Sequence, residues 1–289
     1  MATTYHGEHR RASMESVYTE ESIKKLSEAE FYERFGVGSV FFEVLLDRLK
    51  QYREEEHAKG GRPNRLSVFQ CLIIFFLYVR QYMTQTILAD MAGVKKWDVS
   101  RAYHWVLDTL VQKGCFHLVG NRKTGSGTFA LIDVTEIFIQ RPKRNQKKYY
   151  SGKKKRHTMK VQIIYDLTAN KIISFYISNG TTHDFKMFKE SSPRFREFVK
   201  GLADSGYQGI LKVWHTIETP HKKPCGGELS DEEKEFNALL GSIRVAIEHV
   251  NAWIKRFRMI KNCYRGNIRD LWKIILAVCF AFNVECPGV

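Results

Sequence analysis

The chain has 289 residues, enough to bury one large hydrophobic core, or a medium core beside a smaller domain. Hydrophobic residues make up 44% of the sequence and aromatic residues 13%, which excludes a generally disordered protein. The 46 Lys and Arg residues against 31 Asp and Glu leave a net charge of +15, which favours a polyanionic partner, most simply nucleic acid.

No apolar run reaches the roughly 18 to 20 residues that a membrane-spanning helix needs, and the first residues lack the apolar core of a signal peptide. The six cysteines include no CxxC pair, which argues against a structural zinc site. We therefore expect a reduced, intracellular protein without a membrane partner.

The N-terminal part of the sequence has helical periodicity. Its first 60 residues are polar, with helical patterns near 28–35 and 40–51. A break that contains Gly and Pro follows, and Ser67 is predicted to cap a buried apolar helix that runs to about Tyr82. We assign residues 1–60 to an N-terminal helical segment and residues 61–120 to a second helical domain.

Within the second domain, a short helix ending at Ala92, a turn through Gly93 and a longer helix from about Lys96 are predicted. This pattern resembles a helix-turn-helix, although a buried helical hairpin without DNA contacts would look the same. If the second helix lies in a DNA groove, five outward side chains are the candidate contacts: Lys96, Trp97, Ser100, Arg101 and His104.

After a Gly-rich linker at 120–128, the periodicity changes to that of strands. Strands are predicted at 129–139, 157–166 and 171–178, then a short helix at 182–191, a strand ending at Asp204 and another at 215–222. Long helices follow at about 230–257 and 268–282. Antiparallel strands followed by alternating helices and strands predict an α/β domain, residues 128–289, with one mixed sheet flanked by helices.

Three acidic residues lie in three different elements of this domain. Asp133 is inside the first strand on the face of its apolar neighbours, where an ionised carboxylate is unfavourable unless it is paired. Asp204 ends a later strand, and Glu248 lies on the long helix. A sheet with a helix across it would group these carboxylates. Two Mg²⁺ (or Mn²⁺) ions would then neutralise them and support phosphodiester cleavage.

Basic residues accompany these acids. On the long helix, Arg244 and Lys255 recur on the same face as Glu248 and are expected to position the DNA, although on the helix alone a solvated ion pair between Arg244 and Glu248 is the plainer interpretation. A basic cluster before the second strand would hold DNA phosphates, although an exposed loop or a localisation signal has the same composition. It consists of Lys153, Lys154, Lys155 and Arg156.

Six motifs, "IDVTEI", "YYSGKKKRHTMKVQ", "THDFK", "LADSGYQG", "PHKKP" and "SIRVAIEHVNAWIKRF", resemble the DDE transposases of the IS5-like insertion-sequence group and their Harbinger relatives. The resemblance covers the chain from about Leu66 onward. It implies an RNase H-like fold and a metal-binding catalytic triad of Asp133, Asp204 and Glu248. It also implies an R-x3-E-x6-K signature, which Arg244, Glu248 and Lys255 match.

The same resemblance suggests that His183, Asp184 and Tyr207 lie near the active site, although a turn, a helix cap and simple packing would also explain them. Glu136 is expected to be structural, because it points away from Asp133 on the same strand. Two positions depart from the family pattern. Gly241 stands where many relatives have Tyr, and Val134 stands where Gly is common.

The expected function is that of a transposase acting on DNA in the bacterial cytoplasm or nucleoid. It would bind the terminal inverted repeats of its element, cut with metal-activated water and join the freed 3′-hydroxyl to target DNA, at least as a homodimer. One alternative is a catalytically inactive or domesticated DNA-binding protein derived from such an enzyme. A second is a structure-specific nuclease of the same fold that never performs strand transfer.

Overall fold

A computed structural model describes residues 18–60, 64–118, 129–191, 200–207 and 209–286. The chain divides into two compact units, Met1–Lys113 and Gly114–Val289. The predicted linker at 120–128 lies outside the described residues.

The described part of the first unit is helical. Its helices are α1 (Glu20–Lys24), α2 (Glu28–Phe35), α3 (Ser39–His57), α4 (Val68–Phe76), α5 (Gln85–Ala92) and α6 (Lys96–Gln112). The predicted cap of α4 is confirmed, because the Ser67 side chain accepts a hydrogen bond from the backbone of Gln70. The apolar residues of α4 are buried on every side of the helix, and they pack against α3 and α6.

The buried apolar helix differs from its prediction at its end. The α-helical part stops at Phe76, and a wider π-helical turn, Leu77–Gln81, continues to Tyr82. There the chain leaves the helix with a left-handed φ of 56°. The Gln81 side chain donates to two carbonyls at the end of α2, at 2.9 and 3.1 Å, so a tertiary contact accompanies the change.

The core of the first unit is aromatic. Phe35 of α2, Phe42 of α3 and Phe76 of α4 are buried, with ring centroids 5.5 to 6.4 Å apart. This core therefore joins helices from both the 1–60 segment and the 61–120 segment. The predicted turn between α5 and α6 is formed, and Gly93 ends α5 with a left-handed φ of 64° that glycine adopts readily.

The described residues of the second unit form a six-stranded mixed sheet. Its strands are β1 (Phe129–Phe138), β2 (Tyr150–Ser151), β3 (Arg156–Asp166), β4 (Lys171–Asn179), β5 (Lys200–Ala203) and β6 (Ile217–Glu218). Strand β1 is antiparallel to β3 and parallel to β5, β5 is parallel to β6, and β3 also pairs with β2 and β4. The prediction of an α/β domain with one mixed sheet is confirmed.

Helices lie on both faces of the sheet. They are α7 (Asp184–Ser191), α8 (Asp231–Ile254), α9 (Arg258–Lys261) and α10 (Leu271–Glu285). One face of β1 contributes Ala130 and Ile132 to a core with Phe188 of α7 and Trp214. The opposite face carries Asp133 towards Asn251 of α8. Because strand residues alternate between faces, Asp133 lies on the face of β1 away from this core, together with the buried Leu131 and Ile137.

Three predicted elements have different lengths in the structure. The strand expected at 215–222 pairs only at Ile217–Glu218. The long helix begins as predicted after Ser230, whose side chain caps it, but it ends at Ile254 rather than near 257. The last helix begins with a single 3₁₀ turn at Ile268–Asp270 and extends to Glu285.

Candidate active site

Two acidic residues meet at the junction of β1 and β5. These strands are parallel neighbours, and Ile132 lies opposite Ala203 in their register. The next residues along the two strands are Asp133 and Asp204, so strand pairing brings them side by side. A 3₁₀ turn follows Asp204, and the Ser205 backbone donates to Asp204 Oδ1 at 2.6 Å.

Helix α8 crosses this pair and supplies its counter-charge. Arg244 places Nη1 3.3 Å from Asp204 Oδ1 and Nη2 3.7 Å from Asp133 Oδ1. Two turns further along α8, the Asn251 side chain donates to Asp133 Oδ2 at 2.8 Å. Both oxygens of Asp133 therefore face side chains of the same helix.

The environment of Asp133 disfavours its negative charge. Burial raises the pKa of Asp133 to about 6, and the charges of Asp204 and Glu248 also raise it, while Arg244 and a backbone hydrogen bond lower it. Asp133 is therefore a carboxylate whose charge the protein alone compensates incompletely. A further cation would relieve this imbalance.

The oxygen donors suit a divalent cation of the kind that carboxylates bind. The Asp133 and Asp204 oxygens converge on a single guanidinium, and Mg²⁺ and Mn²⁺ prefer oxygen ligands. The buried Asn251 Oδ1, beside Asp133, has no hydrogen-bond partner. Glu248 is exposed on α8, one turn after Arg244. Within the described ranges, no group of three or more His, Cys, Asp or Glu side chains is already gathered to hold a metal ion.

Behind the aspartate pair, a polar network packs against the turn after Asp204. Lys160 of β3 donates to Asp184 Oδ1 at 2.8 Å, and a Cβ at Gly206 would lie only 2.8 Å from Asp184 Oδ2. The buried Tyr207 hydroxyl donates to Gln162 at 3.1 Å. Burial raises the pKa of Tyr207, and the charges of Asp184, Asp133 and Asp204 add to this effect. Asp184 and Tyr207 thus border the aspartate pair.

Residues 132–283, more than half of the chain, match the family model of the DDE superfamily endonucleases. The chain belongs to this family. The match includes Asp133, Asp204 and Glu248. In addition, 253 residues are 34% identical to a protein of Microchaete diplosiphon named as the probable transposase for insertion sequence element IS702, covering 86% of this chain and 91% of that protein.

A second relative of this DDE endonuclease comes from Streptomyces albus G and is named as a candidate transposase for insertion sequence element IS112. The two are 24% identical over 208 residues, which cover 71% of this chain and 75% of the relative. In the part of the endonuclease that the structure describes, no helix is both long and apolar enough to cross a membrane.

The basic residues of the endonuclease domain extend from the site in two directions. Lys255 is half-buried. Its burial and the nearby charge of Lys154 lower its pKa, while Asp133 and Glu136 act in the opposite direction. Lys153, Lys154 and Lys155 are exposed in the loop between β2 and β3, and the exposed Arg156 begins β3. Lys255, at the C-cap of α8, and Lys154 of the loop therefore lie close enough to interact electrostatically, and Lys255 also interacts with Asp133.

Glu136 and His183, the two remaining residues of the sequence analysis in this domain, each have a contact in the structure. Glu136 accepts a hydrogen bond from the Thr158 hydroxyl at 2.8 Å, on the face of β1 opposite Asp133. His183 is exposed just before α7, where its carbonyl accepts from the backbone of Met187.

In the N-terminal unit, the predicted DNA contacts of α6 differ in exposure. Lys96, Trp97 and Arg101 are exposed, and the Arg101 guanidinium stacks over the Trp97 ring at 4.2 Å. Ser100 and His104 are half-buried.

Two residues of the site were missed in the sequence. Asn251 recurs on the polar face of Arg244 and Glu248, and the sequence carries no signal that separates it from the charged residues of that face, because its burial is visible only in the structure. Lys160 is an isolated Lys inside an apolar strand, where a charge is unfavourable without a partner such as Asp184. For Lys160, a charged residue within an otherwise buried strand was therefore the signal that was overlooked.

Proposed function

We propose that this DDE endonuclease is the transposase of an insertion sequence. It binds the terminal inverted repeats, cuts DNA and joins the freed 3′-hydroxyl to target DNA. The observation that carries the proposal is the pairing of Asp133 and Asp204 on adjacent strands beneath α8, inside the segment that matches the DDE model. The relative named for IS702 covers most of the chain and supports the transposase assignment.

The proposal includes an RNase H-like fold and a place in the IS5-like group with its Harbinger relatives. The strand order supports the fold, since β1 lies between the antiparallel hairpin of β3 and β4 and the parallel strands β5 and β6. The R-x3-E-x6-K spacing of Arg244, Glu248 and Lys255 supports the group.

Asp133, Asp204 and Glu248 would hold two Mg²⁺ or Mn²⁺ ions, with Asp184 as a further candidate ligand. Such ions supply an activated water and stabilise the leaving oxygen in phosphodiester cleavage. Basic residues of the chain bind the DNA. Lys255 and the loop of Lys153 to Arg156 contact DNA phosphates, which releases counterions and adds affinity without reading sequence.

Recognition of the DNA sequence is assigned to the helix-turn-helix of α5 and α6 in the 61–120 domain. The 1–60 segment completes the hydrophobic core of this domain. The left-handed turn at Gly93 and the exposure of Lys96, Trp97 and Arg101 support this role. Ser100 and His104 would contribute smaller surfaces. Because two element ends must be joined, the protein acts at least as a homodimer on bacterial DNA, in the cytoplasm or nucleoid.

The test is nicking of a terminal-repeat duplex in Mg²⁺ by Asp133→Asn, Asp204→Asn and Glu248→Gln. Each change keeps the side-chain shape and removes a ligand charge, so each should abolish nicking while repeat binding survives. Glu136→Gln is the matched control, because its amide can still accept from Thr158, and it should retain most activity. If Glu248→Gln nicked DNA at the rate of the wild-type protein, Glu248 would not belong to the triad, and Asp184 would be the next candidate for the third ligand.

The same assay separates the two alternatives. Repeat binding by the wild-type protein without metal-dependent nicking would favour an inactive or domesticated DNA-binding protein. Nicking without joined product, when a 3′-hydroxyl end is supplied, would favour a structure-specific nuclease.

A further inference from the structure

Arg244 occupies the position between the two aspartates. Its side chain is 19% exposed, and its two terminal nitrogens face Asp133 at 3.7 Å and Asp204 at 3.3 Å. A bidentate fork between Arg and a carboxylate has distances of about 2.7 to 2.9 Å. Nη1 of Arg244 donates a hydrogen bond to Asp204 Oδ1, whereas Nη2 lies beyond hydrogen-bond distance of Asp133, so the guanidinium bridges the two carboxylates without forming a bidentate fork with either one. Its Nε is buried and has no hydrogen-bond partner.

Asn251 contrasts with Arg244. It is buried, and its amide donates to Asp133 Oδ2 at 2.8 Å, a normal hydrogen-bond length. Asp133 thus has one closely held neutral donor on Oδ2 and one loosely held cation near Oδ1. An incoming cation would compete with Arg244 for the aspartate pair, while Asn251 keeps the carboxylate oriented.

We propose that Arg244 is the resident counter-ion of the Asp133–Asp204 pair and that a divalent cation displaces it. In the metal-free protein, Arg244 is a positioning residue that keeps the two carboxylates together despite their repulsion. When a cation takes over this role, the guanidinium is released on the exposed side of α8, where it can pair with a DNA phosphate. This inference rests on the proposed function of the site.

Competition of this kind fixes the sign of a measurable coupling. If the guanidinium and the cation share one position, removal of the guanidinium must strengthen cation binding. If Arg244 only supported the carboxylates, its removal would let them separate, and cation binding would weaken. The two explanations therefore predict opposite changes in metal affinity.

The experiment is a titration of the full-length protein with Mn²⁺ in the absence of DNA, with free Mn²⁺ measured by electron paramagnetic resonance. Arg244→Met keeps much of the side-chain length and removes the charge. It should bind Mn²⁺ on the order of tenfold more tightly than the wild type, within the usual range of coupling between sites. Arg244→Lys keeps the charge but loses the fork, and it should show a smaller gain.

Lys234→Met is the matched control, since it removes a cation from the exposed first turn of α8, where Lys234 pairs with Asp231 at 2.8 Å. Its Mn²⁺ affinity should stay within about twofold of wild type, because exposed charges outside the site are screened. Unchanged or weaker binding by Arg244→Met would overturn the inference. If that variant does not fold, unchanged or weaker binding by Arg244→Lys has the same consequence.

Asp133→Asn separates this inference from the proposed function. Loss of Mn²⁺ binding in Asp133→Asn together with no gain in Arg244→Met would leave the metal site standing and reject only the displacement of Arg244. If Asp133→Asn bound Mn²⁺ as tightly as the wild type, both the proposed metal site and the displacement of Arg244 would be rejected, because the cation would then bind elsewhere.

Discussion

Replacing Asp133 by Asn should stabilise the metal-free protein at neutral pH, because the buried carboxylate is held in an unfavourable charged state. Burial raises the pKa of Asp133 from 3.8 to about 6. For a group with a raised folded-state pKa, the stabilising contribution is fully present below the unfolded value and is lost as the pH rises through the folded value. The gap between 3.8 and about 6 corresponds to about 3 kcal/mol at pH 7.

The pH dependence distinguishes this effect from an ordinary packing change. The advantage of Asp133→Asn over the wild type should be about 0.5 kcal/mol at pH 4 and should grow to about 3 kcal/mol by pH 7. The measurement is urea-dependent hydrogen exchange of peptides from β1 and α8 in the presence of a chelator, which reports opening of this unit alone.

Saturating Mn²⁺ provides the control, because it should stabilise the wild type and leave Asp133→Asn almost unchanged. A gap between the two proteins that is the same at pH 4 and pH 7 would refute the reasoning. An Asn variant that is less stable than wild type at pH 7 would do so as well.

Four further changes have defined outcomes. Alanine at Lys96 and Arg101 should weaken binding to terminal repeats more than to random DNA, by roughly 1 to 3 kcal/mol per base contact, as measured by fluorescence anisotropy. Neutralising Lys153–Lys155 should flatten the log–log salt dependence of DNA binding by up to roughly 2.7. Gly241→Ala should stabilise α8 by about 0.5 to 1 kcal/mol in hydrogen exchange, since a Cβ there meets no atom within 4 Å. Tyr207→Phe should destabilise the sheet by about 1 to 3 kcal/mol in the same assay, because Gln162 loses a buried donor.

Each of these predictions has a contradicting result. Equal losses on repeat and random DNA would mean that the α6 residues contact only phosphates. An unchanged salt slope would mean that the basic loop faces away from DNA. A less stable Gly241→Ala would show that α8 needs glycine for a reason other than space, and an unaffected Tyr207→Phe would mean that Gln162 finds another donor.

Elements with local signals could be predicted from the amino-acid sequence. Ser67 was recognisable as a helix cap, and the start of the long helix near residue 230 was predicted, because capping and helix periodicity involve residues only three or four positions apart. The turn at Gly93 and the hairpin of β3 and β4 follow from glycine's conformational freedom and from short loops. The alternation along β1 placed Asp133 on the correct face, because strand periodicity is fixed by the backbone.

Only the tertiary structure decided which partners these residues meet. On the helix alone, Arg244 was most simply the ion-pair partner of Glu248, yet it reaches Asp133 and Asp204 on the sheet. Likewise, the Asn251 side chain donates a hydrogen bond to Asp133 only because α8 crosses β1. Strand pairing and helix packing set these distances between residues far apart in the chain. The periodicity of apolar residues shows which face of a helix or strand a side chain occupies. It carries no information on which residues of another element lie opposite that face.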